Sequence, residues 1–239
     1  MSIVSIVITS YNKPLFLKKA IESVLTQTYQ DYELIIADDN SDDPKVFEVI
    51  SSYQNYPKVK YFNSYVEQKS RLETARYATQ INTAVRDFST GKYILCLADD
   101  DYYYPEMLDR MVRFADLQNV DVCFCAQHVV DENGNVDGGG INGAGVRFFN
   151  EVLTRGADKL DHNQVMFTRN AFERVDGWDD SPWCWSGADA HFFNRLEKRG
   201  YLFYPIDYDQ PLQAKVYREK SVQWNIANNL NPDGGIKND

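Results

Sequence analysis

Three adjacent carboxylates follow a continuous apolar run in the stretch LADDDYYYP, residues 97–105. The preceding run YILCL predicts a buried strand, and Pro105 opens a new amphipathic segment. Carboxylates that lie side by side raise one another's pKa. A core strand that ends in Asp99, Asp100 and Asp101 therefore requires positive charge nearby, and this requirement constrains the fold.

Strands and helices alternate through the first half of the chain. Strands are predicted at residues 3–8, 33–37, 58–62 and 93–97. Helices are predicted from Pro14, after Asp43–Pro44, over 78–88 with Gly91 at the end, and from Pro105. This alternation predicts an α/β fold with a mostly parallel sheet covered on both faces. Ligands bind beyond the carboxyl ends of such strands, where three polar turns fall: 9–12, 38–40 and 99–101.

The second half is less regular and predicts a fused, more variable lobe without a linker. Residues 120–130 predict one strong strand, and 131–135 a hairpin turn. The glycine-rich stretch 138–145 follows no strand-to-helix turn, so it predicts a mobile lid or a plain connector instead of a phosphate cradle.

Composition excludes several classes of protein. The chain has 239 residues, with 35 acidic against 25 basic side chains and a net charge of −10, which argues against nucleic-acid binding and against a basic membrane-binding face. An anionic ligand held through a metal ion is not excluded. No apolar run approaches the roughly 18 to 20 residues of a membrane span, and no signal peptide is evident, so a cytoplasmic protein is expected. The four cysteines fit no zinc spacing and are expected to be reduced and buried.

The turn after the first strand, TSYNKP, contains no glycine. It therefore lacks the fingerprint that lets a dinucleotide approach the backbone, and no P-loop lysine motif occurs. Strand-end carboxylates instead suit hydroxyl groups and Mg²⁺ or Mn²⁺, and such an ion could bridge the phosphates of a nucleotide sugar. The alternative to a ligand site is that these acidic loops are merely solvated or that their carboxylates cap helices. This alternative is preferred for Asp38 or Asp43 taken alone, but not for the triplet. Chemistry alone leaves the choice open.

Several segments resemble one known family. The opening SIVITSYNKPLFLKKAIESVLTQTYQDYELIIADDNSDD is similar to that of the family 2 inverting glycosyltransferases of GT-A fold, including those of bacterial spore-coat polysaccharide synthesis. GKYILCLADDDYYYPEML resembles their metal-binding DXD region, and the match continues through SRLETARYATQIN, LDHNQVMFTRNAFERVDGWDD and GADAHFFNRL. The resemblance implies one domain over 1–239: a nucleotide-sugar-binding half (1–118), an acceptor-side half (119–220) and a C-terminal tail (221–239).

The resemblance also implies a nucleotide site. Thr9 and Tyr11 would contact the base, Tyr11 by stacking, and Asp39 would accept a hydrogen bond from uracil or thymine. Arg71 would lie near the base and phosphates, although a surface arginine is the alternative. Asp99 would hold the ribose.

The resemblance places the metal, Mn²⁺ or Mg²⁺, at Asp100 when the motif is counted back from Pro105, and at Asp101 in the alternative register. Some relatives add a late metal-binding histidine, whereas the three histidines here, 128, 162 and 191, precede that segment. Phosphate and water oxygens would then complete the coordination, or Asp100 would be the sole protein ligand.

Asp189 matches the catalytic base of the family, although a carboxylate near a helix start is also a common stabilising charge. Asp161, His162, Trp185 and His191 are predicted to face the acceptor. His162 would bind sugar hydroxyls or pack in the core, and the tryptophans nearby would pack or contact the acceptor.

The predicted function is inverting transfer of a sugar from a UDP- or dTDP-sugar to a hydroxyl of a glycan or lipid-linked acceptor, in surface polysaccharide synthesis. The protein would be cytoplasmic, or peripheral at the membrane through its acceptor. Two alternatives remain: a sugar nucleotidyltransferase, whose Gly- and basic-rich phosphate loop is missing here, and a non-catalytic binding module of the same fold. The sequence does not indicate the oligomeric state.

Overall fold

The computed structural model describes residues 4–136, 145–185, 187–207 and 210–216. The strands are β1 (Val4–Ser10), β2 (Tyr32–Asp38), β3 (Val59–Asn63), β4 (Tyr93–Ala98), β5 (Tyr102–Tyr103), β6 (Val122–Phe124), β7 (Gln127–Val130), β8 (Val146–Arg147), β9 (Val165–Thr168), β10 (Tyr204–Pro205) and β11 (Gln213–Val216). The α-helices are α1 (Pro14–Leu25), α2 (Pro44–Tyr53), α3 (Arg76–Thr83), α4 (Met107–Gln118), α5 (Arg169–Arg174) and α6 (Ala188–Lys198).

The central sheet has seven strands in the order β10-β6-β9-β4-β1-β2-β3. The strands β1 to β4 are parallel, and β9 runs antiparallel to both β4 and β6. In the register of β1, Ser10 pairs with Asp38 on one side and Thr9 with Ala98 on the other. The turns that follow β1, β2 and β4 therefore meet at one edge of the sheet, as the alternation predicts.

Both faces of this sheet are covered. Alternate residues of each strand enter separate cores: Ile6 and Leu34 pack with α1 and α4, whereas Val7 and Ile35 pack with α3 and α6. Strands buried on both faces are characteristic of parallel sheets, and they explain the continuous apolar runs of the sequence.

Helix boundaries agree with the predictions to within a few residues. The Asp43 side chain caps α2 by accepting a hydrogen bond from the Lys45 backbone N–H at 3.0 Å. The helix expected from Pro105 begins at Met107, because the Pro105 carbonyl accepts from the Thr28 backbone N–H at 2.9 Å instead of joining the helix. The segment predicted as a helix over 78–88 is α3 followed by a π-helical turn, Ala84–Phe88.

The prediction of a single strand over 120–130 is wrong. It divides into β6 and β7, which belong to different sheets, because the chain leaves the central sheet at Cys125 and Ala126. There the Cys125 N–H donates to the Gln164 carbonyl, and the Ala126 carbonyl accepts from the Leu212 N–H. The strand β7 joins a second sheet of order β5-β11-β7-β8.

The predicted turn at 131–135 is present, since the Asp131 N–H donates to the Asn135 carbonyl at 2.9 Å. All four cysteines are buried thiols. The glycine-rich stretch, apart from Gly145, and the tail 221–239 lie outside the described residues. Within the described ranges, no helix combines the length and the apolar character that a membrane crossing needs.

Candidate active site

The turns after β1, β2 and β4 are tied together by hydrogen bonds. The Asp99 N–H donates to the Thr9 carbonyl at 3.1 Å, and the Tyr11 N–H donates to Asp99 Oδ2 at 2.9 Å. Asn12, at a left-handed φ of 53°, accepts the Asp42 N–H through Oδ1 at 3.0 Å. The three polar turns therefore form one connected edge, which places the predicted nucleotide and metal residues side by side.

Asp39 lies in a buried cluster with two arginines. Arg71 is 4% exposed, its Nη2 lies 2.8 Å from Asp39 Oδ2, and its guanidinium carbon lies 3.4 Å from the centre of the Tyr11 ring. Arg76 Nη2 approaches Asp39 Oδ1 at 2.7 Å. The alternative of a surface arginine at Arg71 is therefore wrong, and both oxygens of Asp39 are paired with cations.

Two carboxylates of the triplet, Asp99 and Asp100, are paired with a lysine, and the third, Asp101, faces into the fold. Lys13 Nζ lies 2.6 Å from Asp99 Oδ1 and 2.9 Å from Asp100 Oδ2. Burial raises the pKa of the Asp99 carboxyl, and the Lys13 ammonium opposes this shift. Lys13 is thus the positive charge that the triplet requires.

Asp101 faces into the fold. Its Oδ1 accepts the Val216 N–H at 2.7 Å, and its Oδ2 accepts from Asn163 Nδ2 at 2.8 Å. Burial, followed by the charge of Asp100, raises the pKa of Asp101 well above its usual range. Since both oxygens are engaged and the residue is 4% exposed, Asp101 joins β11 to the 3₁₀ turn His162–Gln164.

Asp161 caps that 3₁₀ turn and is paired with Lys215 of β11. Burial opposes ionisation of Asp161, but the groups around it, the Lys215 ammonium first among them, together hold the pKa of this carboxyl well below its usual range. Asn163 donates to Asp161 Oδ1 at 2.6 Å and accepts the Ala98 N–H through Oδ1 at 2.7 Å. These bonds connect the end of β4 to the acceptor-side lobe.

Asp189 lies in the first turn of α6, whose N-cap is Gly187. Its Oδ1 accepts the Ala190 N–H at 2.9 Å, and its Oδ2 lies 3.6 Å from His162 Nδ1. The His162 ring stacks on that of Tyr77 with centres 6.0 Å apart. The structure therefore brings Asp189 and His162 together, next to the Asp161–Asn163 connection to the triplet.

The tryptophans have different environments. Trp178 is buried and stacks on Phe192 with ring centres 5.0 Å apart, whereas Trp183 is 71% exposed. Trp185 is half-buried, and its ring N–H has no hydrogen-bond partner among the described residues. His191 is exposed on α6. Trp178 is thus a core residue, and the other two tryptophans lie at the surface before α6.

The chemistry of the donor set fits a divalent ion best at Asp100. This carboxylate is the most accessible of the triplet, at 13% side-chain exposure, and it offers the hard oxygen that Mg²⁺ and Mn²⁺ prefer. Among the described residues, two other groups have potential ligand atoms within 4.8 Å of one another: Asp161–His162–Asp189 and Asp179–Cys184–His191. In the first, Asp161 is paired with Lys215, and in the second, burial raises the pKa of the Cys184 thiol to about 11.

Sequence reasoning missed the cations and the amide that hold these carboxylates: Lys13, Arg76, Asn163 and Lys215. Only Lys13 had an available signal, because it lies within a strand-end turn and the triplet called for a nearby positive charge. Arg76 and Asn163 lie in the segments that resemble the family, near Arg71 and His162, but nothing in these segments shows which carboxylates they hold, and Lys215 lies outside them.

Residues 5–175 match the sequence model described as "Glycosyl transferase family 2". The chain is 41% identical to Protein CgeD of Bacillus subtilis over 199 residues, which are 81% of this chain and 46% of CgeD. It is 29% identical to chondroitin synthase of Escherichia coli over 180 residues, covering 75% of this chain and 24% of that protein. The chain thus spans about half the length, or less, of these relatives.

The fold matches that of solved glycosyltransferases. TarS of S. aureus, residues 1–349 in complex with UDP-GlcNAc, superposes with a TM-score of 0.73 at 17% identity, covering 92% of this chain and 59% of that one. The mannosyltransferase PcManGT of Pyrobaculum calidifontis, in complex with GDP-Man and Mn²⁺, superposes with a TM-score of 0.64 at 15% identity, covering 95% of this chain and 61% of that one. At these identities the likeness shows the fold, which is GT-A.

Proposed function

The chain belongs to glycosyl transferase family 2, and we propose that it moves a sugar from a UDP- or dTDP-sugar to an acceptor hydroxyl, with inversion at the anomeric carbon. The observation that carries the proposal is the meeting of the Tyr11–Asp39–Arg71 cluster with the carboxylate triplet at one sheet edge. An aromatic face beside a hydrogen-bond acceptor suits a pyrimidine, and the adjoining carboxylates suit ribose hydroxyls and a hard cation. The UDP-GlcNAc complex of TarS supports a nucleotide-sugar donor.

The base would bind at Tyr11. The guanidinium of Arg71 already lies over this ring, so a stacked base takes its place or stacks on the opposite face. Asp39 would accept the ring N–H of the base, with Thr9 beside it at the end of β1. Asp99, held by the Tyr11 N–H, would accept from the ribose.

We assign the metal, Mn²⁺ or Mg²⁺, to Asp100. Its greater exposure supports this choice over Asp101, whose two oxygens already accept hydrogen bonds from Val216 and Asn163. Phosphate and water oxygens would be the remaining ligands. Bound there, the ion would supply positive charge that stabilises the leaving diphosphate.

Asp189 would act as the general base. It would take the proton of the acceptor hydroxyl as that oxygen bonds to the anomeric carbon and the bond from this carbon to the diphosphate oxygen breaks. His162, 3.6 Å from Asp189, would contact the acceptor together with Trp185 and His191. Asp161 would support this side from behind, because its carboxylate is paired with Lys215.

The acceptor would be a glycan or a lipid-linked saccharide of a surface polysaccharide. The relative named chondroitin synthase supports a saccharide acceptor. A lipid-linked acceptor would hold the protein peripherally at the cytoplasmic face of a membrane.

Product analysis with labelled nucleotide sugars and Mn²⁺ tests the proposal. Sugar transfer gives a glycosylated acceptor and a nucleoside diphosphate. Release of pyrophosphate from a nucleoside triphosphate and a sugar phosphate would instead identify a nucleotidyltransferase. Donor binding without turnover over a panel of saccharide acceptors would identify a binding module.

A further inference from the structure

The ammonium group of Lys13 lies between two carboxylates of the candidate metal site. It is 2.6 Å from Asp99 Oδ1 and 2.9 Å from Asp100 Oδ2, so one cation is shared by both groups. The Lys13 side chain is 26% exposed, whereas that of Asp99 is 3% exposed. Lys13 is also the N-cap residue of α1, although its side chain makes no capping hydrogen bond. Its side chain therefore has an electrostatic role at the triplet.

A divalent ion and this ammonium compete for the same oxygens. Mg²⁺ binds carboxylate oxygens at about 2.0 to 2.1 Å and strictly limits the positions of its ligands. An ion on Asp100 Oδ2 would lie beside a positive charge that is already within hydrogen-bond distance of that oxygen. Repulsion between the two cations then opposes metal binding unless Lys13 moves.

We propose that Lys13 is a donor-binding residue that exchanges partners: it is paired with Asp99 and Asp100 in the empty site, and it moves to the donor diphosphate when a divalent ion binds Asp100. This inference rests on the proposed function, since it requires a donor with a metal-bound diphosphate. Lysine suits the exchange, because its compact charge and three donors sit at the end of a flexible stem. Pro14 and the start of α1 fix its backbone, so only the side chain needs to swing.

The exchange couples metal and donor binding. The ion alone has to displace Lys13 from its carboxylates, which weakens its binding. When the diphosphate arrives with the ion, Lys13 gains a new anionic partner, so each ligand strengthens the binding of the other. A lysine that stays on Asp99 as a fixed counter-ion would add nothing to the coupling that direct contact between the ion and the diphosphate already gives.

Calorimetric titration of Lys13→Met tests the exchange with Mn²⁺ and UDP as the probes. We expect Mn²⁺ alone to bind on the order of tenfold more tightly than to the parent protein, and UDP to bind the Mn²⁺-saturated variant on the order of tenfold more weakly, because each change corresponds to one charged contact. Lys18→Met is the matched control. It removes the same charge from α1, where Lys18 is 57% exposed and lies 3.9 Å from Glu22, and both affinities should equal those of the parent.

Changes in opposite directions are the signature of the exchange. Unchanged Mn²⁺ affinity, or losses for both ligands, would overturn the proposal, as would a parent protein that binds no Mn²⁺. If Lys13→Met does not fold without metal, the melting of Lys13→Met and Lys13→Gln is measured in Mn²⁺. The exchange predicts that both variants fold there, because the ion replaces the missing positive charge. Failure of both variants to fold in Mn²⁺ would refute the exchange. All of these measurements are of binding or folding, so a protein that passes them but transfers no sugar contradicts only the proposed function.

Discussion

Replacing Asp100 and Asp101 one at a time should separate a metal ligand from a structural carboxylate. Asp101→Ala removes the acceptor of two buried donors, the Val216 N–H and Asn163 Nδ2. A buried donor left without a partner costs about 1 to 3 kcal/mol. We therefore expect Asp101→Ala to lose roughly 2 to 6 kcal/mol of unfolding free energy. The lower half of this range is favoured, because Asn163 Nδ2 keeps its bond to Asp161 Oδ1 and because repulsion with Asp100 is relieved.

Asp100→Ala should behave differently, because its carboxylate is more accessible and shares the cation Lys13 with Asp99. The variant loses one partly exposed ion pair, worth about 1 kcal/mol or less. In a domain of this size a loss of 1 kcal/mol lowers the melting temperature by about 2 to 4 °C. Asp101→Ala should accordingly melt on the order of 10 °C below the parent, and Asp100→Ala within about 4 °C of it.

Thermal melting with UDP, in the presence and absence of Mn²⁺, measures both effects. The extra stabilisation that Mn²⁺ gives should persist in Asp101→Ala and disappear in Asp100→Ala. Asp101→Asn is the matched control, since its amide keeps one acceptor oxygen and should recover part of the loss. The reasoning is refuted if Asp101→Ala melts like the parent and loses the metal effect, while Asp100→Ala keeps it.

Three further predictions concern the base, the nucleotide and acid stability. Asp189→Asn should lower turnover on the order of 10² to 10⁴-fold with nearly unchanged UDP affinity; turnover within a few-fold of the parent, in an assay of UDP release, would remove Asp189 as the base. UDP or dTDP should raise the melting temperature, because a ligand at a hundredfold excess over its dissociation constant adds about 2.7 kcal/mol to the unfolding free energy. Equal stabilisation by ADP would contradict the pyrimidine site. Although burial opposes ionisation of Glu33, hydrogen bonds from Lys60, Ser5 and Thr90 lower its pKa from 4.5 to about 2. Because the folded-state pKa is depressed, about 3 kcal/mol of stability present above pH 4.5 should be lost as the pH falls toward 2, and acid titration of Glu33→Gln should lack this loss.

The first half of the fold was predictable because its local signals agree with its tertiary structure. The strands β1, β2 and β4 contain buried apolar stretches at residues 6–8, 34–37 and 94–97, and the helices between the strands repeat their apolar residues at three and four positions. The break at Cys125 and Ala126 could not be predicted in the same way. An apolar run indicates burial but not which sheet receives it, and here one run serves two sheets.

The candidate site was predictable in its carboxylates but not in their partners. Asp39, Asp99 and Asp100 directly follow β2 and β4, and parallel strands bring their carboxyl ends together. Arg76 is buried and Lys215 is half-buried because the fold places Asp39 and Asp161 beside them. A cation in a sequence looks solvated until its anion is known, so local pattern alone could not identify these residues.

The internal cations also explain how a chain with a net charge of −10 could accept the proposed anionic donor. Asp39 is paired with Arg71 and Arg76, Asp99 and Asp100 share Lys13, and Asp161 is paired with Lys215. Much of the negative charge that the sequence concentrates at this sheet edge is therefore neutralised within the fold. These cations are held by carboxylates, so a nucleic acid or an anionic lipid surface would have to compete with those carboxylates for them. A metal-bound diphosphate differs from those polyanions, since it brings its own cation for the carboxylates and can thereby release a lysine to bind it.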